Sequence, residues 1–167
     1  YQVLDGAGTP VSSVLGTGVS SFQENALTPN TSYTRKVRAW VCFASGDSAT
    51  ASRATLTKVP ASAQLLNVYE SSGTAGWAAY PAAPPSDTAG GYRLEASLTS
   101  AFGAILSSAT TSLAASTLTV SALDANTTYY WRVGALNTDG FYNYTLLPAT
   151  PTLAKPVGAS QVAGTFM

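Results

Sequence analysis

Histidine is absent from the 167 residues. That removes Ser-His and Cys-His nucleophilic pairs and every imidazole-based metal site. Cysteine occurs once, as Cys42, so no disulfide can close within the chain. Charge is scarce: eight basic and eight acidic side chains, 10% of the residues, with a formal net charge of zero. A balance this flat leaves no footprint for nucleic acid and no pull toward an acidic membrane surface. It also removes the mutual repulsion that holds copies of a protein apart. No apolar run reaches the ~18 residues that a membrane-spanning helix needs, so no membrane span is read.

The acids offer little in compensation. Asp5, Glu24, Asp47, Glu70, Asp87, Glu95, Asp124 and Asp139 are spread along the chain, without the close Asp-rich spacing of a calcium loop. Scattered acids read as solvated turn residues, with a glycosidase-type pair assembled in space as the alternative. No catalytic residue, metal ligand or cofactor is assigned, and no enzymatic activity is expected. Cys42, between Val41 and Phe43, reads as a small inert hydrophobe, with a reactive thiol as the alternative.

What the sequence has is small residues, tight turns and a repeat. Ala, Ser and Thr dominate, and 14 Gly and 9 Pro punctuate runs of Thr, Val and Tyr. That composition suits short strands better than helices. The stretch Leu123-Asp124-Ala125-Asn126-Thr127-Thr128-Tyr129 leads into the alternation Tyr129, Trp131, Val133, Ala135. Upstream, Leu27-Thr28-Pro29-Asn30-Thr31-Ser32-Tyr33 leads into Tyr33, Val37 and Ala39, with Arg35 interrupting. Residues two apart share one face of a strand. The two tyrosines are 96 residues apart, and so are Pro60 and Pro156. That period is one small domain, so the chain reads as tandem modules.

A Leu six residues before a Tyr, with Pro or Asn between, resembles the tyrosine corner of fibronectin type III domains. There the Tyr opens strand F and its hydroxyl bonds to backbone upstream. The chain is similar to tandem fibronectin type III-like modules of bacterial extracellular proteins. The resemblance implies an all-β, immunoglobulin-like β-sandwich fold, with Leu27, Tyr33, Leu123 and Tyr129 as structural corner residues. Residues 1–59 would then be a partial module holding strands C to G. Residues 60–155 would be a complete module, and 156–167 strand A of a further module or a donor strand. In the first module strands are expected at 1–5, 11–15, 19–24, 32–43 and 49–58, with a turn at Ser45-Gly46-Asp47. In the second they are expected at 63–69, 74–80, 92–98, 104–108, 117–120, 128–136 and 142–153. Pro148 and Pro151 place the last strand at a sheet edge, and Trp77 falls where the family keeps a buried strand-B tryptophan.

The Arg-Gly-Asp signal of integrin-binding relatives does not occur: the corresponding loops read Ser45-Gly46-Asp47 and Thr138-Asp139-Gly140. Trp40 and Tyr130 count outward, opposite the corner tyrosines, and Phe141, Tyr142 and Tyr144 cluster beside a turn. Trp40, Phe141 and Tyr142 are the candidate surface contacts, able to stack on sugars or anchor a partner. Cross-strand pairing or contact with the adjacent module is the alternative for such aromatics. Asn30-Thr31-Ser32, Asn126-Thr127-Thr128 and Asn143-Tyr144-Thr145 are formal glycosylation acceptors. The expected function is a non-catalytic structural or adhesive array, extracellular or on the cell surface, with a glycan or cell-surface ligand among its partners. A homopolymer is the other expected partner: residues 157–167 of one subunit add as a strand to the next subunit's first module, building a filament. The alternative is a spacer or carbohydrate-binding module of a secreted polysaccharide-degrading enzyme.

Overall fold

The structure, a computed structural model, describes residues 1–41, 44–156 and 158, without the side chain of Ala44. Cys42, Phe43 and the C-terminal strand expected at 157–167 therefore lie outside the described residues, Gly158 excepted.

Seven strands form the C-terminal part: β5 (Gln64–Val68), β6 (Ser72–Gly76), β7 (Tyr92–Ser97), β8 (Leu106–Thr110), β9 (Thr117–Ser121), β10 (Thr128–Leu136) and β11 (Tyr142–Pro151). They make two antiparallel sheets, ordered β11-β10-β7-β8 and β5-β6-β9. This is an immunoglobulin-like sandwich of the fibronectin type III kind, four strands facing three. Alternation builds its core. Tyr129, Trp131, Val133 and Ala135 of β10 are all at most 2% exposed, beside Tyr92, Leu94 and Ala96 of β7. Ala75, Trp77 and Val120 close the core from the other sheet. Trp131 fits because β6 presents Gly73: a Cβ there would lie 2.3 Å from the indole Cη2. Among the described residues the indole N–H groups of Trp77 and Trp131 are buried without a hydrogen-bond partner. Each indole instead sits beside a tyrosine ring, Tyr92 at 5.0 Å and Tyr129 at 6.2 Å between centroids. The two prolines lie in β11, which is an edge strand, as their missing N–H groups require.

The N-terminal part is one sheet of β1 (Gln2–Asp5), β2 (Ser32–Val41), β3 (Ala44–Asp47) and β4 (Ala51–Ala54). β2 is central, with β1 on one side and both β3 and β4 on the other. Its register repeats the sandwich: Val3 pairs with Val37 as Leu94 pairs with Val133. The structure corrects four readings of this part. The segment 11–15 is not a strand. It runs beside β1, but Val11 and Ser12 both donate to the Val3 carbonyl and the Ser12 hydroxyl takes the Val3 N–H. A side chain thus replaces a ladder bond. The segment 19–24 is not a strand either; its counterpart β9 gains its ladder from β6, and no described strand pairs with 19–24. Ser45-Gly46-Asp47 is not a turn but the body of β3, because Arg38 and Lys36 hold Asp47 against β2 at 2.6 and 2.9 Å. The strand expected over 49–58 shrinks to β4. At its start, Ser48 takes both partners of Val37, accepting the Val37 N–H on its hydroxyl and donating its own N–H to the Val37 carbonyl. Beyond Ala54 two backbone bonds to the preceding turn remain, from the Thr55 N–H to the Thr31 carbonyl and from the Asn30 N–H to the Leu56 carbonyl, and from Thr57 the chain bonds to the sandwich.

The two sheets differ where Trp131 has its counterpart, 96 residues earlier, in Arg35. Arg35 reaches Glu24 in a fork of 2.8 and 2.6 Å and lies over the Tyr33 ring at 4.9 Å. Tyr1 and Val37 on that face are 51% and 42% exposed, whereas their counterparts Tyr92 and Val133 are fully buried.

Gly73→Ala is expected to destabilise the sandwich by about 1–3 kcal/mol, the usual cost of overpacking a filled core. A urea midpoint equal to that of the unsubstituted protein would contradict the packing of Trp131 against β6.

Candidate functional site

Both corners carry the same set of bonds. The Tyr129 hydroxyl accepts the Asp124 N–H at 3.0 Å, and the Tyr33 hydroxyl accepts the Thr28 N–H at 2.9 Å. Leu123 and Tyr129 are buried, while Leu27 and Tyr33 are half-buried. Hydrogen bonding to Thr28 also lowers the Tyr33 hydroxyl below its usual value. Thr127 donates to the Ala125 carbonyl as Thr31 donates to the Pro29 carbonyl, at 3.0 and 2.8 Å. The change from Pro29 to Ala125 therefore costs the corner no bond. Two residues that sequence reasoning missed complete the set. The Thr152 hydroxyl donates to the Asp124 carbonyl at 2.6 Å and accepts the Thr127 N–H at 3.0 Å. Thr55 does the same for Thr28 and Thr31, at 2.6 and 3.1 Å. The signal was present: both threonines stand one residue before a Leu, 97 residues apart. Asn30 and Asn126 turn each corner at φ of 46° and 52°, a region Asn tolerates.

The first corner is the joint between sheet and sandwich. Asn30 is 5% exposed. Its side-chain N–H₂ donates to the Pro85 and Thr88 carbonyls, both at 3.2 Å, on the loop before β7. Its side-chain oxygen accepts the Thr138 N–H at 3.1 Å, on the β10–β11 turn. One amide thus grips two loops of the sandwich. The grip is returned by Asn137, 2% exposed, whose amide donates to the Ala54 and Thr55 carbonyls at 3.4 and 3.1 Å. Asp139 accepts the Ala54 N–H at 2.7 Å. The connecting segment is fastened too: Thr57 donates to the Ala135 carbonyl at 3.1 Å, Asn143 donates to the Thr57 carbonyl at 2.7 Å, and Lys58 pairs with Asp87. Tyr80 donates to the Lys58 carbonyl at 2.6 Å, and burial raises its hydroxyl above the usual tyrosine value. Asp87 and Asp139, expected as solvated turn residues, are joint residues, and Thr138-Asp139-Gly140 is engaged rather than free.

The surface aromatics part company. Trp40 is 45% exposed on β2. Phe141, 54% exposed, lies at the joint with the Arg53 guanidinium 6.0 Å over its ring. Tyr142 packs against Tyr144 at 5.8 Å beneath Arg93. No ring contact joins the three candidates to one another among the described residues. Beside Tyr142 lies a cluster that no sequence pattern marked. Glu95 is 1% exposed, on the outer face of β7. It accepts Arg132 at 2.6 Å and the Tyr144 hydroxyl at 2.8 Å, with Arg93 at 3.1 Å. Arg132 is held between the Phe102 and Tyr144 rings, 4.1 and 4.0 Å from their centroids. Gly134 admits Tyr144, since a Cβ there would lie 2.7 Å from its ring. Burial, and then the bond to Glu95, pushes the Tyr144 hydroxyl up to about 12. Glu95 is thus a strand residue under aromatic cover, not a solvated acid of a turn. Of the three formal glycosylation acceptors, Asn30 and Asn143 have their amide nitrogens engaged; Asn126 is exposed, with no side-chain hydrogen bond among the described residues.

The strand order, the paired corners and the gripped loops define an all-β protein of fibronectin type III-like architecture. No protein-family model and no curated protein matches the chain. Solved structures similar to it include a two-domain fibronectin type III segment from chicken tenascin, at 15% identity and a TM-score of 0.49, covering 90% of this chain and 82% of that one. Others are the fn3 domain of human collagen alpha-1(XX) chain, at 21% identity and 0.48, covering 62% and 92%, and the FN1–FN3 domains of chicken CNTN1, at 19% identity and 0.47, covering 79% of this chain. The chain spans about half, 46%, of that last segment's length.

Tyr129→Phe is expected to cost about 1 kcal/mol, the net worth of one buried hydrogen bond, with the fold retained; a denaturation midpoint unchanged within error would remove the corner's role. A second expectation concerns acid. The hydrogen bonds from Arg38 and then Lys36 hold the Asp47 carboxyl far below its ordinary value. A depressed folded value lends stability above the unfolded value of ~3.9 and loses it as pH falls below that. Amide protection across β2 and β3 should therefore decline below about pH 4, and less steeply in Asp47→Asn. Equal acid profiles for the two proteins would refute it.

Proposed function

We propose that the chain is a non-catalytic module array, extracellular or on the cell surface, whose task is to hold successive modules in a fixed mutual orientation. Residues 1–59 are a partial module, 60–155 a complete one, and Lys155-Pro156 repeats the junction at Lys58-Val59-Pro60. The observation that carries the reading is the buried amide of Asn30, bonded to two separate loops of the sandwich. A spacer free to swing has no use for such a grip, since interfaces within a chain usually allow relative motion. A glycan or cell-surface ligand would find exposed Trp40 on β2 and half-buried Tyr142 on the sandwich.

The finer reading is a filament subunit. Its support is the inner face of the N-terminal sheet, where Tyr1, Val3, Val19, Phe22 and Val37 line a hollow of about 470 Å³. A strand supplied by residues 157–167 of another subunit would cover that apolar ground. The Arg35–Glu24 pair limits the fit to the end of the face nearer Tyr1, because a strand laid over the pair would strip water from two charges.

Sedimentation and electron microscopy of the full chain and of the chain ending at Pro156 test both readings. Assembly by the full chain, lost on removing residues 157–167, is expected of a filament subunit; filaments persisting without them would eliminate strand addition. Hydrolysis of a polysaccharide panel that survives repurification and is lost on replacing one carboxylate would overturn the non-catalytic reading.

A further inference from the structure

The second corner repeats the first in its internal bonds, yet among the described residues the Asn126 side chain has no hydrogen-bond partner. Asn126 has the φ of Asn30 within a few degrees. Its N–H donates to the Leu153 carbonyl at 3.0 Å, as the Asn30 N–H donates to the Leu56 carbonyl at 3.0 Å. The flanking threonines bind the same backbone atoms in both copies. The backbone that delivers Asn30 to its partners is thus reproduced around Asn126. At the first corner the amide is met by two carbonyls on one loop and an N–H on another. We infer that Asn126, with the backbone of 151–155, is a docking surface for a further module of this same kind, joined in series. Its loop before the β7-type strand supplies the two carbonyls, and its β10–β11-type turn supplies the N–H. The inference rests on the proposed array function and names the contact by which the array is extended.

The match is partial, and its gaps say which bonds the second joint would lack. Pro151 stands where Ala54 donates its N–H to Asp139, so that bond cannot form. Ala154 stands where Thr57 donates its hydroxyl to the Ala135 carbonyl. The carbonyls of Pro151 and Thr152 remain as acceptors for an Asn137-type amide, and Lys155 remains to pair with an Asp87-type carboxylate. Asn126 therefore carries a larger share of the second joint than Asn30 carries of the first. A contact of this type is directional. The loops that receive a corner lie at one end of a module and the corner at the other, so each module offers one of each and the series does not close on itself in pairs.

The test uses the full chain through Pro156, extended by a second copy of residues 61–155, with that copy isotope-labelled by segmental ligation. Asn→Gly is the variant of choice, because glycine keeps the positive φ and removes only the amide. In the extended protein, Asn126→Gly is expected to speed hydrogen exchange of the Thr138 amide of the second copy about tenfold, the scale of one lost hydrogen bond in a local opening. The Thr138 amide of the first copy should not change. Asn30→Gly, with the label on the first copy, should do the reverse. Equal exchange at the second-copy Thr138 with and without Asn126→Gly, or independent tumbling of the second copy in the unsubstituted protein, would overturn the inference. If Asn30→Gly also leaves its own Thr138 unchanged, the fixed-orientation reading fails as well. If Asn30→Gly behaves as expected and Asn126→Gly does not, only the docking role of Asn126 is lost.

Discussion

Asn30, in the corner before β2, makes three side-chain hydrogen bonds, and all three go to loops of the sandwich. The corner forces this residue to a positive φ, which selects Asn or Gly. Asn alone adds an amide that can donate twice and accept. The constraint that shapes the turn thus also supplies the group that fastens the turn to its neighbour. The tyrosine hydroxyl and the threonine bridges hold the corner itself, so the position of the amide is fixed before any partner arrives. Such preorganisation lowers the ordering cost of the contact.

The two copies spend the same framework differently. In the sandwich, β10 places Trp131 over Gly73 and buries it between two sheets. In the N-terminal sheet the same register position is Arg35, tied to Glu24 and laid on Tyr33. A guanidinium keeps its hydration only where water reaches it, and here it remains partly exposed. The N-terminal sheet is therefore stabilised less by burial than by its ladder, its ion pairs around Asp47 and its attachment to the sandwich. The outer face of the sandwich shows the converse. Glu95 is buried there because aromatic rings and two arginines cover it, giving a face that is ordered without being part of the core. A buried carboxylate with this many donors is costly to leave unpaired, which ties Arg132 and Tyr144 to their positions.

The amino-acid sequence by itself determined the strand class, the repeat and the core face. Tyr129, Trp131, Val133 and Ala135 are buried because a strand alternates strictly, and alternation is local information. The corner was legible for the same reason, since the partners of Tyr129 and Tyr33 lie five residues away. Local bonding also misled where side chains intervene: Ser12 and Ser48 interrupt ladders in ways that a period-2 pattern does not display, and Asp47 sits in a strand because of charges on β2. What only the tertiary structure decided is what lies across the molecule. Asn30 meets residues 55 and 108 positions away, Glu95 meets Arg132 and Tyr144 from two other strands, and the exposed Asn126 is distinguished from the buried Asn30 solely by what packs on it. Two residues at matching corner positions, with the same backbone conformation, differ in burial through neighbours that no local pattern encodes.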